Sequence, residues 1–175
     1  MANGIEIYTG YYGNVRKYRA AGCLAIGISV GTPQWLKDDD DKALVFYRAL
    51  APTYNLIHIE DEAEYTRRYE QEILAKLNPN LVLGDLIRMA KAQEAHKIIL
   101  LCYEKPPKFC HRSLVAKWLN KTTGAGVCEF GFETAVASKK ETTAPVAGDL
   151  FAAAGIEISA KHEEECKGWS GGDWR

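Results

Sequence analysis

The chain has 175 residues, with 22 basic against 23 acidic side chains for a formal net charge of −1. That length fits one domain with a real core, and 47% hydrophobic with 26% charged residues is the composition of a soluble globular protein. No apolar run approaches the roughly 20 residues a bilayer crossing needs, and the near-neutral total argues against a non-specific nucleic-acid coat.

The opening stretch MANGIEIYTG has no basic region followed by an apolar one, so no export signal is expected. Residues 5–8 read as a brief strand that ends in the glycine-rich turn Thr9-Gly10-Tyr11-Tyr12-Gly13-Asn14. Residues 15–21 read as a short helix closed by Gly22, a residue suited to the left-handed position past a helix end. A second apolar strand spans residues 23–30 and is broken by Gly31-Thr32-Pro33. The run Lys37-Asp38-Asp39-Asp40-Asp41-Lys42 is expected to be a solvated acidic loop at a helix N-terminus, with a hard-cation site as the alternative.

Residues 43–50 are predicted to be a helix with apolar Leu44, Val45, Phe46 and Leu50, stopped by Pro52. Residues 62–77 form a longer amphipathic helix with Tyr65, Tyr69, Ile73, Leu74 and Leu77 on one face. Asn78-Pro79 then restarts a helix as N-cap and first helical residue, with Leu81, Leu83, Leu86, Ile87 and Ala90 inward. Residues 97–103 (KIILLCY) are the strongest strand, and their unbroken apolar run predicts burial on both faces. After a loop at residues 104–109 come a helix at 111–120 and a last strand at 127–132.

Strands alternating with helices imply crossover connections. The expected fold is α/β, a three-layer, mostly parallel Rossmann-like sheet with helices on both faces. Residues 1–136 are read as a single α/β domain. Residues 137–175 are read as a polar linker and a partly flexible tail, with a short helix near residues 149–154 and Trp169 and Trp174 as candidates to pack on the body or a partner.

In such a sheet, ligands bind beyond the carboxyl ends of the strands. Three loops should meet there, at residues 9–14, 29–33 and 102–112. The first two offer glycine backbone, with Tyr8, Thr9, Gly10, Tyr12, Asn14, Ser29 and Thr32 as ligand-binding candidates; Tyr8 and Tyr12 are also candidates for packing. The third concentrates reactive groups: Cys102, Glu104, Lys105, Lys108, Cys110, His111, Arg112 and Ser113. From Lys97 to Lys121 six basic residues face one acid, Glu104, so this stretch carries +5 and the remainder −6. With the helix N-terminus beside it, Arg112 is placed to hold an anion such as phosphate.

Cys110 and His111 are neighbours, so on a helix their side chains diverge by about 100°. Cys102 and His111 can pair across the loop, with Glu104 orienting the imidazole. Either thiol is a candidate nucleophile, because cations and a helix N-terminus lower a thiol pKa; the alternative is a cysteine that only packs. The cysteine phosphatase loop does not fit, since the sixth residue after Cys102 is Lys108 and after Cys110 is Ala116. Cys102, Cys110, His111 and Cys128 could bind zinc, but no Cys-x-x-Cys spacing supports it; His162 and Cys166 are a weaker pair still. No metal or cofactor is therefore assigned. The five cysteines do not read as a paired disulfide framework, and a cytoplasmic location is expected. His58 and His96 are read as structural or surface residues.

Leu100-Leu101-Cys102-Tyr103-Glu104-Lys105 followed by Phe109-Cys110-His111-Arg112-Ser113-Leu114 resembles the signature of the domain-of-unknown-function family 488. The similarity covers residues 1 to about 132. It implies an α/β fold and a pocket lined by cysteine, glutamate and arginine, of unassigned activity, with a lean toward nucleotides. Members often end the second strand in Asp-Val-Arg, where this chain has Ser29-Val30-Gly31; the resemblance therefore points to a divergent subgroup with a different ligand.

The leading expectation is a small enzyme, a hydrolase or transferase, acting on a phosphorylated or nucleotide-like substrate. A non-catalytic nucleotide or nucleic-acid sensor and a zinc-stabilised interaction domain are the alternatives. The expected partner is an anionic small molecule or nucleotide, with nucleic acid also open and no membrane; the oligomeric state is left open.

Overall fold

Alternation along the strands sets up two apolar faces. On one, Ile7, Ile26, Ile98 and Leu100 are buried; on the other, Tyr8, Ala25, Ile99 and Leu101. The structure is a computed structural model that describes residues 4–36 and 44–131. Its strands are β1 (Glu6–Tyr11), β2 (Cys23–Gly27), β3 (Val45–Phe46), β4 (Lys97–Cys102) and β5 (Cys128–Glu129). They form one sheet in the order β3-β2-β4-β1-β5, and every pairing is parallel.

Helix α1 (Val15–Ala20) packs Val15 and Tyr18 onto the second face. The other three cover the first: α2 (Glu62–Glu72), α3 (Pro79–Ala92) and α4 (His111–Thr123). The fold is thus a three-layer, Rossmann-like α/β sheet with helices on both faces. Among the described residues, no helix is long and apolar enough to cross a membrane.

Helix ends follow their local chemistry. The Asn78 side chain accepts hydrogen bonds from the N–H groups of Asn80 and Leu81, and Pro79 follows as the first helical residue. Asn78→Ala should cost about 1 kcal/mol, read as a lower urea midpoint at unchanged slope. Asp61 caps α2 through the Glu64 N–H, and Gly124, at φ +67°, closes α4.

Several expectations are corrected. Of the helix expected at 43–50, the described residues 44–50 form none: Val45 and Phe46 pair with Ile26 and Gly27 as an edge strand, and Arg48–Leu50 is one 3-10 turn. The run before Pro52 is too short to repay helix nucleation, and a β-branched residue beside an aromatic suits the sheet edge. Strand β1 runs on through Thr9 and Gly10, and the turn is Tyr12–Asn14. Strand β2 stops at Gly27, and β5 is shorter than residues 127–132. The helix at 62–77 gives way after Glu72 to a 3-10 turn at Leu74–Lys76. Leu81 is 67% exposed, and Val82 takes the inward place on α3. Tyr103 lies past the end of β4 and is exposed rather than buried. The acidic run at 37–42 and the linker and tail at 137–175, with the 149–154 helix, His162, Cys166, Trp169 and Trp174, lie outside the described residues.

Candidate functional site

Strand β4 brings Cys102 to its carboxyl end, beside Tyr11 of β1, while β2 ends one residue before Ile28. Helix α4 begins nearby, so the cap residue Cys110 and the first helical residue, His111, face the end of β4. The Cys102 Sγ lies 3.4 Å from His111 Nδ1, and Cys110 Sγ lies 4.0 Å from the same nitrogen. On the ring's other side, His111 Nε2 is 2.9 Å from the Ile28 carbonyl oxygen. That oxygen only accepts, so Nε2 donates its proton there, and Nδ1 is the nitrogen left to exchange a proton with a thiol. All three residues are almost completely buried.

Two geometric expectations change. Cys110 and His111 do converge, because Cys110 caps the helix in extended conformation (φ −157°, ψ 145°) and is not bound by helical side-chain spacing. Glu104 does not orient the imidazole: its carboxylate is 3.6 Å from the Lys108 ammonium, and the Ile28 carbonyl holds the ring instead. The ring of Tyr69 lies 5.3 Å from that of His111, and the Tyr69 hydroxyl donates to the Leu50 carbonyl at 2.6 Å.

The two thiols are driven apart in acidity. Burial acts to raise both. Cys110 nevertheless ends well below the ordinary thiol value, because it accepts a hydrogen bond from Cys102 and sits against His111 and the Arg112 charge. Cys102 is pushed well above it, by burial and then by the neighbouring Cys110 sulfur. The helix N-terminus at Cys110 favours the anion there as well. The pair is thus polarised, with the anion favoured at Cys110 and the proton at Cys102.

Arg112 is 1% exposed, and its Nε donates to Glu129 Oε2 at 3.0 Å. Its Nη1 donates to the Glu104 carbonyl, and Nη2 is buried with no hydrogen-bond partner among the described residues. Thr9 donates its hydroxyl to the same Glu129 oxygen at 2.6 Å. Arg112 is thereby committed to an interior ion pair, within electrostatic reach of both thiols.

A cleft of about 1050 Å³ opens over the cysteines and His111. Of the sequence candidates, Cys102, Cys110, His111, Ser29, Glu104 and Lys108 line it. Tyr12 lies behind that wall, its hydroxyl 2.6 Å from Ser29 Oγ and its pKa raised to about 12 by burial. Tyr8 packs its ring edge against Phe130 and donates its hydroxyl to Glu6, while Asn14 hydrogen-bonds Tyr18. A Cβ on Gly10 would meet the Tyr18 ring and hydroxyl, so that glycine serves packing. Ser113 donates its hydroxyl to the Cys110 carbonyl at 2.8 Å. Thr32 and the exposed Lys105 do not line the cleft.

Of the four sulfur and nitrogen ligands offered for zinc, Cys102, Cys110 and His111 converge. Cys128 stands outside the group and is disulfide-bonded, whereas Cys23, Cys102 and Cys110 are free thiols. His58 is exposed and contacts the Tyr54 ring, and His96 is exposed at the sheet end. Sequence reasoning missed Glu129. A carboxylate within the apolar run Val127-Cys128-Glu129-Phe130 was the available signal, since such an acid needs a buried cation. It also missed the cleft's apolar wall, where Ile57, Ile59 and Phe109 join Tyr65.

No curated protein and no solved structure matches the chain. A family model does: DUF488-N3a, described as the Active DUF488-N3 subclade, matches residues 7–123. That span runs from β1 to the end of α4, takes in every strand but β5, and includes the whole Cys102–Arg112 loop. The chain belongs to the domain-of-unknown-function family 488, matching its Active DUF488-N3 subclade.

Proposed function

We propose that this protein is a thiol-dependent enzyme, a hydrolase or transferase, acting on a nucleotide-like substrate. Cys110 is the nucleophile, Cys102 donates a hydrogen bond to its thiolate, and His111 moves the proton through Nδ1. One observation carries the reading: the Cys110 and Cys102 sulfurs lie 4.0 Å and 3.4 Å from one imidazole nitrogen, and the ring is fixed from the far side by a main-chain carbonyl at 2.9 Å. Nucleophile, base and orienting group are the three parts of an activated thiol site. The description of the matching subclade as active agrees with this.

The cleft argues for the substrate's body. Tyr65, Tyr103, Phe109 and Ile57 offer a wide apolar surface suited to a planar base. Lys108 and the N-terminus of α4 are what the site offers a phosphate, since Arg112 is turned to Glu129 and Glu104. Glu60, Glu62 and Glu104 also line the cleft, so a nucleoside or a singly phosphorylated nucleotide suits it better than a polyphosphate.

A thermal-shift and turnover panel of nucleosides, mono- and triphosphates on wild type and Cys110→Ala tests this. At least one base-bearing compound should stabilise both proteins and be converted only by wild type. Equal turnover by Cys110→Ala would leave a binding or sensing protein with packing cysteines. No stabilisation by any base-bearing compound would remove the nucleotide-like substrate.

A further inference from the structure

The three groups that converge under the cleft have a second chemistry. We propose that Cys102, Cys110 and His111 form a Zn²⁺ site with its fourth position toward the cleft, and that the metal holds the thiols out of reaction. The liganding atoms all lie within 4.8 Å of one another. In a tetrahedral site with Zn–S of about 2.3 Å and Zn–N of about 2.0–2.1 Å, sulfur and nitrogen stand about 3.6 Å apart. The two Sγ–Nδ1 separations, 3.4 Å and 4.0 Å, bracket that edge.

An independent feature is the far side of the imidazole. A metal-bound histidine donates its other ring N–H to a carbonyl or carboxylate, which fixes the tautomer and aims the ligand. His111 Nε2 has that partner in the Ile28 carbonyl, and the Ile28 N–H is itself tied to the Leu101 carbonyl at 3.0 Å. The nitrogen facing both sulfurs is therefore the one free to bind.

Two sulfurs and an imidazole suit Zn²⁺ and exclude the oxygen-seeking Mg²⁺ and Ca²⁺. Charge closes as well. Two thiolates balance the dication, and the adjacent Arg112–Glu129 pair balances itself, so the filled site adds no net charge to the interior. As each Zn–S bond forms, any thiol still protonated releases its proton to solvent. All three ligands line the cleft, so the remaining position opens where a substrate would enter. The inhibitory half of the proposal rests on the thiol chemistry proposed above; the metal site does not.

The test titrates reduced, chelator-stripped full-length protein with Co²⁺ under anaerobic conditions and then with Zn²⁺. One equivalent of Co²⁺ should give a thiolate-to-metal charge-transfer band with tetrahedral ligand-field absorption, bleached by one equivalent of Zn²⁺. Cys102→Ser and Cys110→Ser should each weaken the band, and Cys23→Ser should keep it. In wild type, which needs no variant to fold, Zn²⁺ should protect two thiols from modification and slow iodoacetamide alkylation at least tenfold, reversibly with EDTA. Absence of the charge-transfer band, or its survival in both serine variants, overturns the site, whatever the alkylation rate. Zn²⁺ binding with unchanged alkylation overturns the inhibitory role. Slow alkylation of metal-free protein counts against the thiol reading and so against inhibition, while the cobalt spectrum still decides the site.

Discussion

Arg112→Met should destabilise the protein by about 3–5 kcal/mol, a large part of the roughly 5–15 kcal/mol that holds a domain folded. The loss is that of a charge left alone. Glu129 is 2% exposed, and without the guanidinium its only remaining side-chain donor among the described residues is the Thr9 hydroxyl, 2.6 Å away. Glu129→Gln should also cost stability, because it leaves a buried guanidinium with the Glu104 carbonyl and a neutral amide. The double variant Arg112→Met/Glu129→Gln buries no isolated charge and should recover much of the sum. Urea unfolding of all four proteins gives the coupling energy, expected to be about 1–3 kcal/mol. Single variants that each cost under about 1 kcal/mol would mean that water reaches the pair and that Arg112 is free to serve the cleft.

That pair also marks where the sequence stops being informative. Strand β4 was legible because six residues, Lys97–Cys102, combine one charge with an unbroken apolar run, and α3 was legible from its Asn-Pro cap. The stretch at 43–50 was not: a short apolar run carries no clear period, and pairing of Val45 with Ile26 decided it. In the site, the concentration of cysteine, histidine and arginine between β4 and α4 pointed to the right loop. Its wiring was hidden. The group that orients His111 is a main-chain carbonyl 83 residues away, which no side-chain motif records. The direction taken by Arg112 was hidden for a related reason. A basic segment suggests an exposed anion site, while a single distant carboxylate, Glu129, turns the guanidinium inward.

Removing the imidazole should slow the chemistry most at low pH. In wild type, Cys110 titrates well below the ordinary thiol value of about 8.5, so its alkylation should remain fast through neutrality and fall only as acid protonates the thiolate. His111→Ala takes away one of the groups that hold that value down. The Cys110 pKa then moves up toward ordinary, and each unit of the rise lowers the thiolate fraction about tenfold at a pH below both values. Iodoacetamide rates on the acid side of both values should therefore drop about tenfold for each unit of the rise, while those above pH 9, where both proteins are ionised, should nearly coincide. On a true substrate the loss should be larger, about 10²–10⁴-fold, because proton transfer in the reaction is lost as well. Cys102→Ser should stay close to wild type, since a hydroxyl still donates to the thiolate, whereas Cys102→Ala should shift the profile upward. A pH profile for His111→Ala that overlays wild type would show that the 4.0 Å approach of the Cys110 sulfur to the imidazole nitrogen is packing alone.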